Sequence, residues 1–369
     1  MKLQRGRGNI GFTWWRTVDR YILSGVLGLM TIGLVLVMAA SPTVAERIGL
    51  SYFHFIQKQV LYVIMGLFIM FAVSSLDSIT VRRLSFLGFI IFFVLLIGVD
   101  LFGFETKGAK RWIYLGGTSI QPSELLKPFF AVLTAWIITR RNMDNKFPGF
   151  TISTITFVLI AFLLIRQPNF GMTLTMGVIW FTQMIIGGLN IFIIGGLGVA
   201  GIIGIIGAYH YLPHVQNRIN TFLNTSEAGD NYQTEKSLEA FQNGGIFGTG
   251  PAQGKIKEII PDAHTDFIFS VAGEEFGLIF CLIIIAIYGF IIFRCLYRAY
   301  GDKDLFVLLA VTGLTMQIFF QAAVNMGVAT NLLPNTGMTL PFVSYGGSSM
   351  LSVSLVMGMI LCFTRKKFG

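Results

Sequence analysis

Apolar residues in this chain gather into long runs instead of alternating with polar ones. Runs suited to crossing roughly 30 Å of hydrocarbon recur at Tyr21–Ser41, Val60–Ser74, Leu84–Val99, Pro122–Ile138, Thr151–Leu164, Phe170–Ile186, Ile191–Tyr209, Phe267–Phe293, Leu305–Met326 and Phe342–Phe363. The pattern predicts an all-α polytopic membrane protein of about ten spans. Connections between runs are short, with one exception. His210–Thr265, between the seventh and eighth spans, is long and polar. It opens on YLPHVQNRINTFLN, passes a charged middle and ends in the glycine-rich NGGIFGTGPAQGK. Loops of this length are usually functional or disordered. SLEAFQNGG reads as a helical stretch stopped by Gly244 and Gly245, which favours order.

Composition agrees with the pattern. Charged residues make up 12% of the chain and mean hydropathy is +0.72, against about 25% charged in soluble domains. No linker divides the chain, so residues 1–369 form a single integral membrane domain with residues 210–265 as a large extracytoplasmic loop. The basic residues orient it. Lys2, Arg5, Arg7, Arg16, Arg20, Arg82, Arg83, Arg140, Arg141, Lys146, Arg294, Arg298, Lys303, Arg365, Lys366 and Lys367 all fall on the side that holds both termini, which predicts cytoplasmic ends. The net charge of +9 is thereby an orientation signal; nucleic-acid binding needs a gathered basic face. The polar segment before the first span is too long for a cleaved signal peptide, and Trp14 and Trp15 read as interfacial anchors.

Several chemistries drop out. Cys281, Cys295 and Cys362 form no disulfide framework, and His54, His210, His214 and His264 lack zinc-site spacing. Around Gly254–Lys255 a phosphate-binding loop fails, because Thr249 stands where the first glycine belongs and Ile256 where Ser or Thr belongs. In the seventh span Gly196, Ala200 and Gly204 are spaced for close helix packing.

The carboxylates are the informative residues. Asp266 precedes an apolar run, where it serves either as an N-cap or as a group facing a polar cleft. Glu274, eight positions on, is expected on roughly the same helix face, about two turns deeper. Glu124 and Lys127 share a face of the fourth span, with Pro128 interrupting the helix bonding. They either pair in the interior or line the polar site. NMGVATNLLPNTGMTLPFVSYGGSSMLS is rich in Pro, Gly and small polar residues, an irregular backbone that membranes tolerate only beside protein or water. A cleft with a carboxylate, basic outer loops and an apolar wall suits a lipid-linked anionic substrate. The residues alone do not choose between an enzyme and a transporter.

RWIYLGGTSIQPSELLK, RQPNFG, NRINTFLN, GGIFGTGPAQGKIKEIIPDAHTDFIFSVAGEEFG and NLLPNTGMTLPFVSYGGSS resemble the SEDS family of FtsW and RodA across nearly the whole chain. AHTDFIFSVAGEEFG and GMTLPFVSYGGSS are more similar to the division branch than to the RodA-like elongation branch. The resemblance implies a peptidoglycan glycosyltransferase of the bacterial cytoplasmic membrane that polymerises lipid II at the septum. It works there with a class B penicillin-binding protein and other divisome membrane proteins. It places the catalytic aspartate on Asp266 and a second acid on Glu258. Substrate-binding positions fall on Arg111, Glu124, Lys127, Arg218, Glu275 and Ser344, and motif positions on Gln121, Pro122, Gly346 and Gly347. The family's acidic QPD element reads Gln167-Pro168-Asn169 here. A Mg2+ or Mn2+ ion would add charge stabilisation, although the sequence offers no compact cage. Lipid II flipping and a scaffolding role are the rival readings.

Overall fold

The computed structural model describes residues 10–106, 109–115, 118–223 and 232–366. Lys2, Arg5, Arg7, Lys107 and Lys367 lie outside the described residues. A short helix α1 (Ile10–Thr17) leads into α2 (Arg20–Arg47), α3 (His54–Ser75) and α4 (Ser78–Phe102). Three strands follow, β1 (Phe104–Thr106), β2 (Ala109–Leu115) and β3 (Thr118–Ile120), and then α5 (Pro122–Met143), α6 (Gly149–Arg166), α7 (Phe170–Ile186) and α8 (Ile191–Tyr211). The long connection holds α9 (Pro213–Leu223), α10 (Tyr232–Gly244) and a 3-10 turn at Ile256–Glu258. The chain closes with α11 (Ile268–Tyr300), α12 (Leu305–Ala329) and α13 (Gly347–Phe363).

Helices α2–α8 and α11–α13 coincide with the ten predicted spans. Seven of them are long and apolar enough to cross a bilayer, while α7 and α13 are shorter apolar helices. The remaining one, α5, carries Glu124 and Lys127 buried in its first two turns. Helix α12 lies at the centre, packed on α5, α7 and α11, while α3 packs on α13 and α4 on α5. The two ends of the bundle differ. At one end Arg47 donates to the Glu258 carbonyl and Phe55 packs on Tyr345, whose N–H donates to the His264 carbonyl; at the other Asp19 meets Arg294 and Arg298, and Arg365 reaches the Leu76 carbonyl.

Three local features refine or depart from the sequence reading. First, the α5 leader is an antiparallel sheet in the order β1-β2-β3, with Phe104 opposite Trp112 and Ile113 opposite Ile120. Second, Pro128 interrupts the helix hydrogen bonding as the sequence predicts, yet α5 runs on through it. A proline cannot donate to the carbonyl four residues back, here that of Glu124, and Ser352 Oγ donates to that oxygen at 2.6 Å instead. Third, the glycine run of α8 packs on nothing within the described chain. A Cβ added at Gly196, Gly198, Gly201, Gly204 or Gly207 would meet no described atom within 4 Å; the main contacts of α8 are with α9 and α7.

Helix α11 is broken by design of its backbone. Gly277 adopts φ 79° and ψ −177°, a region essentially restricted to glycine. The break frees the Glu274 and Glu275 carbonyls, which accept from Thr249 N (2.9 Å) and Gly250 N (3.0 Å). Gly245 and Ile246 carbonyls in turn accept from Leu278 N and Ile279 N. The glycine-rich end of the long connection is thus stitched to α11 by backbone, as Gly244 and Gly245 end α10 where the sequence predicts.

Candidate active site

Asp266 lies one residue outside the first cap of α11. That cap is Phe267, whose side chain makes no cap hydrogen bond. The N-cap reading of Asp266 is therefore set aside. Its main chain is pinned instead: Asn325 Nδ2, from α12, donates to the carbonyls of Asp266 (2.8 Å) and Met338 (2.7 Å). Two further ties join the 264–266 stretch to the irregular segment before α13. Ser344 Oγ donates to the Thr265 carbonyl (2.5 Å) and accepts from Leu340 N (2.8 Å), and Tyr345 N donates to the His264 carbonyl (2.9 Å). The Tyr345 ring packs against Phe55 and His264. Gly337, at φ +69°, passes so near that a Cβ there would stand 3.8 Å from Asp266 Oδ2.

These ties leave the carboxylate facing a cleft of about 530 Å³ lined by Arg111, Trp112, Gln121, Glu124, Arg218, Asp262, Asp266, Thr339, Gly346, Gly347 and Ser349, among others. Pro122 is the first residue of α5, and the Gln121 amide just before it donates to Ser348 Oγ (3.0 Å), which holds α5 to the start of α13. Gly347 lets the Tyr62 ring approach, since a Cβ would come within 2.6 Å of it.

Two guanidiniums enter from outside the bundle. Arg111 is presented by β2, and its Nε donates to the Gln167 carbonyl (3.3 Å) while Nη2 donates to that of Pro168. The Gln-Pro-Asn corner therefore acts here through its backbone, and Asn169 stands at the start of α7 without a side-chain cap bond. Arg218 comes from α9. Burial, and then the charge of Arg218, pull Arg111 down to about 10. Burial lowers Arg218 too, with the Asp266 carboxylate opposing the shift. His214 is lowered by burial and by both arginines, which keeps it neutral at pH 7. Both arginines remain charged there, partly stripped of water and side by side, an arrangement that an anion between them would relieve.

Four expected site residues lie elsewhere. Glu258 is exposed on the 3-10 turn, and the contact it makes is through its carbonyl, which accepts from Arg47. It is not among the residues that line the cleft with Asp266. Glu275 is buried against Lys257 in an ion pair, not in the cleft. Lys127 stands one layer behind Glu124: it is fully buried, pairs with Glu124 at 2.7 Å, and does not line the cleft. Ser344 is a positioning residue, with both its bonds to backbone. Glu274 also differs from expectation. Its carboxylate accepts from Ile256 N (2.8 Å), Lys257 N (2.9 Å) and Asn243 Nδ2 (3.0 Å), bracing the long connection. Helical extrapolation from Asp266 fails because Asp266 is outside the helix. Asp262, Gln233 and Tyr62 line the cleft without a signal of their own in the sequence.

The FtsW/RodA/SpoVE family, described as cell cycle proteins, matches residues 20–368. The chain belongs to this family. It is 37% identical to the probable peptidoglycan glycosyltransferase FtsW of Caulobacter vibrioides, over 96% of this chain and 91% of that one. It is 33% identical to stage V sporulation protein E of Bacillus subtilis, over 94% and 97%. The fold is similar to a chain solved for the structural coordination of polymerization and crosslinking by a peptidoglycan synthase complex (TM-score 0.78, 24% identity, covering 94% and 97%). It is also similar to the rod shape determining protein RodA of Thermus thermophilus (TM-score 0.71, 24% identity, covering 95% and 97%). Of the residues that the sequence resemblance singled out, Asp266, Arg111, Arg218, Gln121 and Gly346 share one cleft.

Proposed function

We propose that the chain is a peptidoglycan glycosyltransferase that polymerises lipid II into β-1,4-linked strands during septal wall synthesis. The observation that carries this reading is the single cleft that joins Asp266 to Arg111 and Arg218. Asp266 takes the proton of an acceptor GlcNAc 4-hydroxyl as that oxygen bonds to C1 of the donor MurNAc. The bond from C1 to the diphosphate oxygen breaks, and undecaprenyl diphosphate leaves. One displacement inverts the α-linked donor to a β product, so one base suffices. Arg111 and Arg218 face the charge that develops on the leaving diphosphate.

Among the described residues no three His, Cys, Asp or Glu side chains converge as a metal cage, and no step assigned to Asp266 or the arginines runs through Mg2+ or Mn2+. The chain is a multi-pass membrane protein. In this reading its termini are cytoplasmic, the cleft is periplasmic, and it acts at the septum with a class B penicillin-binding protein and other divisome membrane proteins. Purified protein given lipid II, alone and with such a transpeptidase, is expected to yield a glycan ladder on a gel. Lipid II moving between vesicle leaflets with no ladder under either condition would replace this reading with the flippase one.

A further inference from the structure

At the end of the bundle opposite Asp266, the C-terminal turn of α11 and the residues after α13 enclose a cavity of about 460 Å³. That volume is within the roughly 300–1,000 Å³ of ligand pockets. Arg298, Arg365 and Lys366 line it, with Asp302 as the acid of the wall and Tyr297 and Tyr300 also lining it. The wall is held in place from both sides. Arg298 Nε donates to Asp19 Oδ2 at 2.6 Å, Arg294 reaches the same oxygen at 3.0 Å, and Lys366 N donates to the Thr17 carbonyl at 3.1 Å. Arg365 Nη1 contacts the Leu76 carbonyl at 3.5 Å. Among the residues that line the cavity, the cations Arg298, Arg365 and Lys366 face the single carboxylate of Asp302.

A second feature says what kind of anion fits. Over its last two turns α11 exposes Phe293 (69%), Tyr297 (63%) and Tyr300 (86%), spaced four and three residues apart and so on one face that leads to the cavity. The Phe293 and Tyr297 rings stack with centroids 6.2 Å apart. An apolar track on a membrane helix that ends in a basic concavity matches a lipid: acyl chain along the aromatic face, phosphate among the cations. A soluble phosphate would use the cavity and leave the track unused.

We infer that this cavity is a binding site for the phosphodiester headgroup of an anionic phospholipid, seated among Arg298, Arg365 and Lys366. The site is remote from Asp266, so it neither uses nor depends on the polymerase assignment. Arg298 is unsuited to a test because its loss would leave buried Asp19 short of a partner. Arg365→Gln/Lys366→Gln removes two cations and spares that pair.

The test is native mass spectrometry of the full chain in detergent, titrated with phosphatidylglycerol or phosphatidylcholine. Wild type is expected to retain phosphatidylglycerol preferentially, and the double variant to bind it roughly 10–30-fold more weakly, from the loss of two near-surface cations. Tyr297→Ala/Tyr300→Ala, which leaves the charges in place, is expected to weaken retention as well. Arg83→Gln/Lys146→Gln, exposed and away from the cavity, should leave it unchanged. Equal losses in the two basic double variants would reduce the effect to general surface attraction and overturn the site. Displacement of the lipid by millimolar inorganic phosphate, or tyrosine variants that bind as wild type does, would overturn the lipid as occupant. A wild type that does not distinguish the two lipids, or takes up a partner's membrane helix there in place of lipid, would do so too.

Discussion

Lys127 is the residue on which the sequence left two readings, and the structure separates them by energy. Its ammonium is fully buried and 2.7 Å from Glu124, whose side chain is 5% exposed. Removing one member of such a pair strands the other charge in a low-dielectric interior, which costs about 3–5 kcal/mol. Lys127→Met is therefore expected to lower the unfolding free energy by about that amount, read by denaturant titration in micelles. Glu124→Gln/Lys127→Met leaves no charge unpaired and is expected to regain most of the loss, since neutral replacement of a buried pair is often nearly free. Turnover per folded molecule of the single variant should change little, because Lys127 does not reach the cleft. A direct donor to the leaving diphosphate would behave differently, losing roughly 10²–10³ in turnover at unchanged stability. That second pattern refutes the reasoning.

Asp19 makes stability depend on acid. Burial alone would raise its carboxyl, but hydrogen bonds from Arg298, Arg294 and Ile22 N outweigh that and hold it below the ordinary value. With the folded value depressed, the stabilisation is complete above about pH 4 and disappears as pH falls through the folded value. The wild-type unfolding midpoint should drop over that acid limb and Asp19→Asn should flatten it; identical limbs would contradict the assignment. Gly277→Ala forces a side chain into a φ of 79° and within 2.4 Å of Gly248 N and the Ile246 carbonyl, so membrane-inserted, folded protein should be nearly absent, and ordinary yield would contradict the described break. Arg218→Gln should cut polymerisation by roughly 10²-fold at unchanged melting, with Arg218→Lys recovering part; full activity of the Gln variant would remove Arg218 from the diphosphate site.

The spans were legible because hydrocarbon leaves helices little alternative, and Phe170–Ile186 matches its helix to the residue. The start of α5 at Pro122 and the stop of α10 at Gly244 were legible from local backbone chemistry. What failed was any inference that needed the third dimension. Glu274 and Asp266 share a spacing but not a helix, because α11 starts only at Ile268 and the cap of α11 is Phe267. Glu275 finds Lys257, and the Glu124 carbonyl finds Ser352, across distances no spacing encodes. The α8 glycines carry a packing pattern with no partner within 4 Å among the described residues. Asp266 stood out by its place before an apolar run, its catalytic role and the roles of Arg111 and Arg218 came from family resemblance, and the structure adds that one cleft holds all three.

The central claim is that the Asp266 carboxylate takes a proton. Asp266→Asn keeps the size of the side chain and the backbone ties through Asn325, and the N-cap position of α11 is held by Phe267. The decisive measurement is the initial rate of lipid II polymerisation by purified wild type and Asp266→Asn at matched melting behaviour, each with the class B transpeptidase present. The account predicts a fall of roughly 10²–10⁴-fold with lipid II still bound. A variant that polymerises at the wild-type rate would contradict it.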